Sequence, residues 1–333
     1  MAVKLAINGF GRIGRAVFKV AMENENIEVV AINDLGDVEN LVYLLRFDSV
    51  YGRYARSVKV QDGKLMVDDK EVQIFNEPDP GKLPWKEHKI DVVVESTGVF
   101  TDRSDAVKHI DAGARRVIIS APTKSDDVPT VVMGVNDDDA EGQEIISNAS
   151  CTTNCAAPMA AVLDRAFGVE KAVLTTAHAF TATQSVVDGP AKKDFRRGRA
   201  AGINLVPSTT GAAKAATLAY KPLTDKFDGV ALRVPVPVVS ITDLVAVTGK
   251  DVTVEEVNEA FRKAVEDEQY KGVVAVSDDE TVSTDYIGDP HSVIVDLKMT
   301  KVVGGNLVKV MGWYDNEWGY SNRLVEQVEA LGK

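Results

Sequence analysis

The sequence predicts a mixed α/β chain in two parts: a first part on a parallel sheet, and a second, α+β part on a largely antiparallel one. Three observations carry that expectation. Strand and helix patterns alternate from the start to about residue 150, as parallel βαβ units require. A glycine triplet, Gly9-Phe10-Gly11-Arg12-Ile13-Gly14, stands at the first strand-to-helix junction. After residue 151 the texture changes to one long helix, a long aperiodic segment and several separated strand patterns. Aromatic residues are only 6% of the chain while Val and Ala are many, which suits strands buried on both faces.

The first strand is Val3-Lys4-Leu5-Ala6-Ile7-Asn8, and residues 12–22 follow as an amphipathic helix. A second strand, residues 27–34, ends in Asp34, about 20 residues past the last glycine, as the dinucleotide fingerprint of a Rossmann-type unit requires. Gly9 permits the tight turn, Gly11 lets a pyrophosphate approach the backbone, and Gly14 lets helix and strand pack closely. Arg12 and Ile13 head the helix, where unpaired N–H groups meet the phosphates. A lone triplet would be a weak sign. Strand, helix, second strand and spaced acid together point to dinucleotide binding rather than to a turn that only packs. Asp34 would accept the adenosine ribose hydroxyls. No arginine stands in Leu35-Gly36-Asp37 to neutralise a 2′-phosphate, so NAD is expected over NADP.

Residues 57–60, 65–67 and 71–75, with turns at Asp62-Gly63 and Asp68-Asp69, read as an antiparallel insertion. Residues 91–98, 116–120 and 144–148 read as strands and 104–112 as a helix. In the second part, residues 171–176, 229–235, 240–247 and 293–297 are strand patterns expected to pair antiparallel. Thr253 with Glu256 forms a capping box for a helix over 253–267, and a last helix covers 320–331.

Cys151, in Ser150-Cys151-Thr152-Thr153-Asn154-Cys155, follows a strand and stands at or beside the N-terminus of a helix patterned over Ala156 to Phe167. Backbone N–H groups and the helix dipole favour a thiolate there, and hence a covalent nucleophile. The other reading is a buried, inert thiol. Cys155, one turn on, reads as a packed small residue, and no second pair of soft ligands exists for a metal. Of the four histidines, His88 lies in a polar run, His109 in a first-part helix and His291 in a turn, and substitution of His88 or His109 is expected to be near neutral. His178 ends an apolar strand in the part that holds Cys151, where a base or a structural histidine could equally sit. Lys192, Lys193, Arg196, Arg197 and Arg199 crowd the aperiodic segment 181–203 and are either solvated surface or an anion site. Pro207-Ser208-Thr209-Thr210-Gly211-Ala212-Ala213-Lys214 then leads hydroxyls and a glycine into a helix, and Arg233 is embedded in an apolar strand. Together these suggest a phosphate-bearing substrate.

The chain resembles the glyceraldehyde-3-phosphate dehydrogenase family nearly end to end. The resemblance is carried by the glycine motif from Asn8 to Arg15, by Ala149-Ser150-Cys151-Thr152-Thr153-Asn154-Cys155, by Thr176-Ala177-His178 with Thr181-Ala182-Thr183-Gln184, by Val187-Asp188-Gly189-Pro190, by the Pro207–Lys214 motif and by Trp313-Tyr314-Asp315-Asn316-Glu317. It implies an NAD-binding domain of residues 1–150 to which a C-terminal helix, 317–333, returns, and a catalytic domain of 151–316. It implies Cys151 as nucleophile and His178 as base. Thr181, Thr183 and Arg233 would hold the substrate's phosphate. Ser150, Thr152, Arg197, Thr210 and Gly211 would hold inorganic phosphate. Asn316 and Ser120 would stand at the nicotinamide. A homotetramer is implied, with segment 181–203 between subunits. Erythrose-4-phosphate dehydrogenases share the Cys and His but hydrolyse the thioester, and the full phosphate set here favours the glyceraldehyde substrate. A non-catalytic protein on the same fold would have no use for intact Cys151, His178 and Asn316. Two positions depart from many relatives: Pro78 replaces an arginine before Asp79-Pro80, and Tyr51 replaces a histidine.

Composition bounds the partners. A net charge of −12 disfavours nucleic acid or an anionic membrane. Two cysteines in 333 residues give no disulfide framework and fit a reducing cytoplasm. The first strand pattern starts at Val3, so no signal peptide is expected, and no apolar run approaches the roughly 18 residues a membrane span needs.

Overall fold

A computed structural model describes residues 2–61, 63–191 and 194–332 of the chain; Asp62, Lys192 and Lys193 lie outside the described residues. The chain divides into two compact units, one of residues 1–131, 137–149 and 321–333, the other of residues 132–136 and 150–320.

The first unit is built on one sheet. Its strands lie in the order Ile145–Ser147, Arg116–Ile119, Val92–Glu95, Val3–Asn8, Ile27–Asn33, Lys70–Phe75, Lys64–Val67, Val58–Gln61. From Ile145–Ser147 to Lys70–Phe75 every pairing is parallel, and the last two are antiparallel. Leu5, Ala6 and Ile7 have no exposed surface, because Val3–Asn8 is central and helices cover both faces. The expected insertion is the far edge of this same sheet, since Ala31, Ile32 and Asn33 pair with Gln73, Ile74 and Phe75. Helix Val38–Arg46 went unread in the sequence, although Val38, Leu41, Val42 and Leu45 have helical spacing; Asp37 caps it by accepting the Asn40 N–H at 2.9 Å.

In the second unit the sheet order is Val206–Thr209, Phe227–Val234, Val169–Ala179, Ser240–Thr248, Leu307–Tyr314, Val293–Asp296, Val274–Ser277. Most pairings are antiparallel, as expected. Phe227–Val234, however, runs parallel to Val169–Ala179, and Val274–Ser277 parallel to Val293–Asp296. Helix Cys151–Phe167 packs Ala156, Met159 and Leu163 into one core with Leu174, Leu244, Val308 and Val310. Each large apolar side chain so buried contributes about 1.5–3 kcal/mol. The helix sits close to the sheet because Gly312 lies beneath it: a Cβ there would fall 2.6 Å from the Met159 sulfur. Helix Val254–Glu266 carries the expected capping box, with Glu256 N–H donating to Thr253 Oγ1 and Thr253 N–H to Glu256 Oε2.

Candidate active site

In the first unit the fingerprint glycines occupy three different environments. Gly9 has φ +92°, and a Cβ on it would lie 2.6 Å from the Thr97 nitrogen. At Gly14 a Cβ would sit 2.0 Å from the Gly9 oxygen, so helix Arg12–Ala21 can lie against the strand only without one. Gly11 faces open space. Turn, packing and approach are thus divided among them as phosphate binding requires. Arg12 and Ile13 are the first two residues of the helix, whose N-cap, Gly11, has no side chain to cap it. The Arg12 guanidinium turns aside, donating to Asp48 Oδ2 at 2.8 Å and lying over the Tyr51 ring. The Tyr51 ring thus lies under a residue of the fingerprint. Asp34 follows the second strand; its Oδ2 accepts the Phe10 N–H at 2.7 Å and its Oδ1 the Gly36 N–H at 2.8 Å. The carboxylate holds both its own turn and the glycine turn, with lone pairs left for hydroxyl donors. Ser120, half-buried, donates its N–H to the Glu95 carbonyl.

The second unit assembles the nucleophile. Ser150 caps helix Cys151–Phe167, its Oγ accepting the Thr153 N–H at 3.1 Å, and Cys151 is the first helical residue. Just before the cap, buried Ala149 holds φ +54°, a conformation unusual for a residue with a Cβ. Strand Val169–Ala179 delivers His178, whose Nε2 lies 3.4 Å from Cys151 Sγ. The parallel pairing with Phe227–Val234 puts Arg233 opposite His178 in register. Arg233 Nη1 lies 2.7 Å from His178 Nδ1 and donates to the Ala179 carbonyl at 3.1 Å. His178 Nδ1 is also 2.7 Å from that carbonyl. The two contacts require opposite roles of Nδ1. Donating to Ala179 leaves the Nε2 lone pair facing the thiol, the form a base needs; accepting from Arg233 puts the proton on Nε2.

Burial dominates the electrostatics and opposes the pull of the helix terminus on Cys151. It pushes the Cys151 thiol above the ordinary thiol range, against the pull of Arg233 and of donors at Thr152 and at its own backbone. Burial, reinforced by Arg233, also pushes His178 down to about 3. Both directions favour a thiol beside a neutral imidazole, with Sγ and Nε2 placed to pass one proton between them. Burial pushes Cys155 further up than ordinary thiols, and its sulfur rests 3.8 Å from the Met159 sulfur, as an inert residue's would. Among the described residues no group of three His, Cys, Asp or Glu is placed to hold a metal ion.

Around this pair the expected anion ligands fall as follows. Thr181 and Thr183 follow the His178 strand, their hydroxyls 2.9 Å apart. Arg233 Nε is buried without a hydrogen-bond partner, a donor suited to an incoming oxyanion. Arg197, in the 3-10 turn Phe195–Gly198, donates from Nε and Nη2 to Ser208 Oγ at 3.1 and 2.8 Å, with Asp194 beside it at 3.6 Å. Thr210 Oγ1 accepts the Ala212 N–H, and Gly211 caps helix Ala212–Ala219. Thr152 is different: it is buried and its hydroxyl meets Tyr314 Oη at 2.9 Å, so its hydroxyl is already engaged. Asn316 is buried, its Oδ1 accepting from Ser240 Oγ at 3.0 Å, so that its amide NH₂ is the group that can meet a carbonyl.

Several site residues were not singled out in the sequence. Tyr314 joins Thr152 and Thr176 through its hydroxyl and sets its ring edge against His178. Ser240 accepts the Ala179 N–H while donating to Asn316, and Ser208 steadies Arg197. Tyr314 and Ser208 lie inside motifs that the resemblance quoted, which was the available signal. His109 sits in helix Arg103–Asp111, as expected of a first-part helix; it is fully buried and takes the Trp85 indole N–H on Nδ1 at 2.9 Å.

Two family models match the chain: "Glyceraldehyde 3-phosphate dehydrogenase, NAD binding domain" over residues 3–103, and "Glyceraldehyde 3-phosphate dehydrogenase, C-terminal domain" over residues 150–316. Among similar proteins, a glyceraldehyde-3-phosphate dehydrogenase of Streptomyces coelicolor is 50% identical, spanning 100% of this chain and 99% of its own length. Glyceraldehyde-3-phosphate dehydrogenase 2 of Bacillus subtilis is 52% identical over 99% of this chain and 97% of its own. The Geobacillus stearothermophilus glyceraldehyde-3-phosphate dehydrogenase is 52% identical over 98% and 97%.

Proposed function

The chain belongs to the glyceraldehyde-3-phosphate dehydrogenase family, and from that premise we propose that it converts glyceraldehyde 3-phosphate and inorganic phosphate to 1,3-bisphosphoglycerate with NAD, in glycolysis and gluconeogenesis. The observation that carries the chemistry is the approach of Cys151 Sγ to His178 Nε2, 3.4 Å, with Arg233 against the far side of the ring.

The thiol adds to the aldehyde carbon while His178 takes its proton; the oxyanion that forms faces the Cys151 N–H and the imidazolium, which returns the proton to it, leaving a neutral hemithioacetal beside a neutral His178. His178 is then the group that receives the hydroxyl proton. When bound, NAD supplies the hydride acceptor. The product is a thioester on Cys151. Inorganic phosphate attacks its carbonyl, the carbon–sulfur bond breaks, and the sulfur leaves as thiolate to be reprotonated through His178. Thr181, Thr183 and Arg233 hold the substrate's phosphate. A phosphate that draws Arg233 away from Nδ1 leaves that nitrogen to donate to Ala179, which selects the base form of His178. Ser150, Thr152, Arg197, Thr210 and Gly211 take the attacking phosphate; Thr152 must share its hydroxyl with Tyr314 to do so. Gly9, Gly11, Arg12, Ile13 and Asp34 bind the cofactor's pyrophosphate and adenosine ribose, and Ser120 and Asn316 serve its nicotinamide. The open approach at Gly11 and the donors of the helix terminus fit the group.

We assign the chain to a homotetramer. In segment 181–203 Val186, Val187, Phe195 and Ile203 are 86, 72, 85 and 83% exposed, surface that a second copy would cover. Light scattering on the purified protein tests this. Among the described residues no helix is long and apolar enough to cross a membrane, and the free thiols Cys151 and Cys155 suit a reducing cytoplasm. The decisive experiment is steady-state reduction of NAD with glyceraldehyde 3-phosphate, with and without phosphate. Turnover that needs phosphate supports the phosphorylating reaction; equal rates without it would mean hydrolysis of the thioester instead.

A further inference from the structure

Beneath the carboxyl ends of three adjacent strands in the first unit lies a closed polar cluster that the reaction does not use. Asn8, Asn33, Glu95 and His109 are 1, 4, 2 and 0% exposed. Trp85 Nε1–H can only donate, and it points at His109 Nδ1 from 2.9 Å. Nδ1 must therefore accept, which places the ring proton on Nε2, 3.2 Å from Glu95 Oε2. Asn8 Nδ2 donates to the same oxygen. Glu95 Oε1 accepts the Thr97 N–H at 2.8 Å and the Thr97 hydroxyl. Four donors thus fill the four lone-pair sites of one buried carboxylate.

Two arms of this cluster end beside residues assigned to the cofactor, and a third ends in the loop packed against Gly9. Asn8 precedes Gly9, and Asn33 precedes Asp34. Asn33 donates to Asn8 Oδ1 at 2.7 Å and to the Glu77 carbonyl, while its Oδ1 takes the Glu77 N–H. Its own carbonyl accepts the Gly9 N–H at 2.8 Å. Ser96 Oγ donates to the Gly9 carbonyl at 2.6 Å, and Gly9 lies hard against Thr97. The glycine turn, the Asp34 turn and the 95–99 loop are therefore tied to one carboxylate, and that carboxylate is oriented by a histidine whose tautomer Trp85 sets.

We propose that His109 is a positioning residue for dinucleotide binding: through Glu95 it holds the three strand ends in the arrangement that meets the cofactor, and Trp85 fixes the tautomer that allows it. The proposal rests on the NAD reading above. Its test is a comparison of His109→Phe, His109→Gln and Trp85→Phe with the wild type. NAD affinity is read by fluorescence titration, kcat and KM for NAD by steady-state assay, thermal unfolding by calorimetry, and Cys151 alkylation by iodoacetate without NAD. His109→Phe fills the space but removes both hydrogen bonds. It should weaken NAD at least about fivefold, the lower end of couplings carried by packed networks, while kcat at saturating NAD and the alkylation rate stay within twofold. Gln can donate to Glu95 and accept from Trp85 at once, so His109→Gln should restore most of the affinity. Trp85→Phe leaves the tautomer unpinned and should weaken NAD by about twofold or more, which keeps the idea testable if His109→Phe does not fold. The proposal is overturned if a folded His109→Phe, or Trp85→Phe, binds NAD as the wild type does, or if His109→Gln loses as much affinity as His109→Phe. A wild-type protein that bound no NAD would instead overturn the cofactor assignment itself.

Discussion

Replacing Arg233 by Ala should separate substrate binding from chemistry. Arg233 is half-buried at the end of strand Phe227–Val234, with Nη1 on His178 and Ala179 and Nε buried without a partner. A phosphate oxygen meeting such a guanidinium gains a charge-assisted hydrogen bond worth about 1.5–3 kcal/mol, or about ten- to a hundredfold in affinity. Unphosphorylated glyceraldehyde lacks that oxygen and should lose about threefold or less in kcat/KM, less than one ordinary neutral hydrogen bond. A second effect acts on the base. Arg233 ranks after burial among the causes that hold His178 down, so removing it lets the His178 pKa rise. The acid limb of the pH–rate profile should therefore move to higher pH in the variant, for both substrates alike. The assay is kcat/KM for each aldehyde from about pH 3 to 9, at saturating NAD and phosphate. If both substrates lost the same factor, Arg233 would not be reading the phosphate; an unmoved acid limb would mean that its charge does not reach His178.

Three further outcomes are expected. Cys151→Ser should abolish oxidation while Cys155→Ser preserves most of it, and iodoacetate should label Cys151 alone; equal labelling of both thiols would remove the assignment. His178→Asn should slow turnover by about 10²–10⁴. It should also flatten the acid side of the stability curve. The folded-state pKa of His178 lies below its ordinary 6.5, so between 6.5 and about 3 only the unfolded chain holds that proton. Stability then falls as pH falls, by up to about 1.4 kcal/mol per pH unit from this residue, and denaturant melts of both proteins should differ by that slope. Asp34→Gly should weaken NAD and permit NADP; a wild-type protein with equal kcat/KM for the two would show that the carboxylate does not discriminate.

What the sequence determined by itself are features written in contiguous residues. The glycine turn, the helix it opens and the acid after the second strand are local, because φ angle, turn packing and helix start depend on neighbours a few positions away. Cys151 near a helix start is local in the same way. The Thr253 capping box was legible for that reason too. What only the tertiary structure decided are the pairings. His178 and Arg233 meet because two strands far apart in sequence run parallel in one register, and parallel partners joined by a long crossover leave no turn between them to announce the pair. The low pKa of His178 and the raised one of Cys151 follow from burial that no local window contains. Tyr314 reached Thr152 and Thr176, and His109 reached Glu95 and Trp85, by the same route. A side chain's hydrogen-bond partner inside a protein is set by which backbones the core brings side by side, and that is a property of the whole packing, not of the residue's neighbours in the chain.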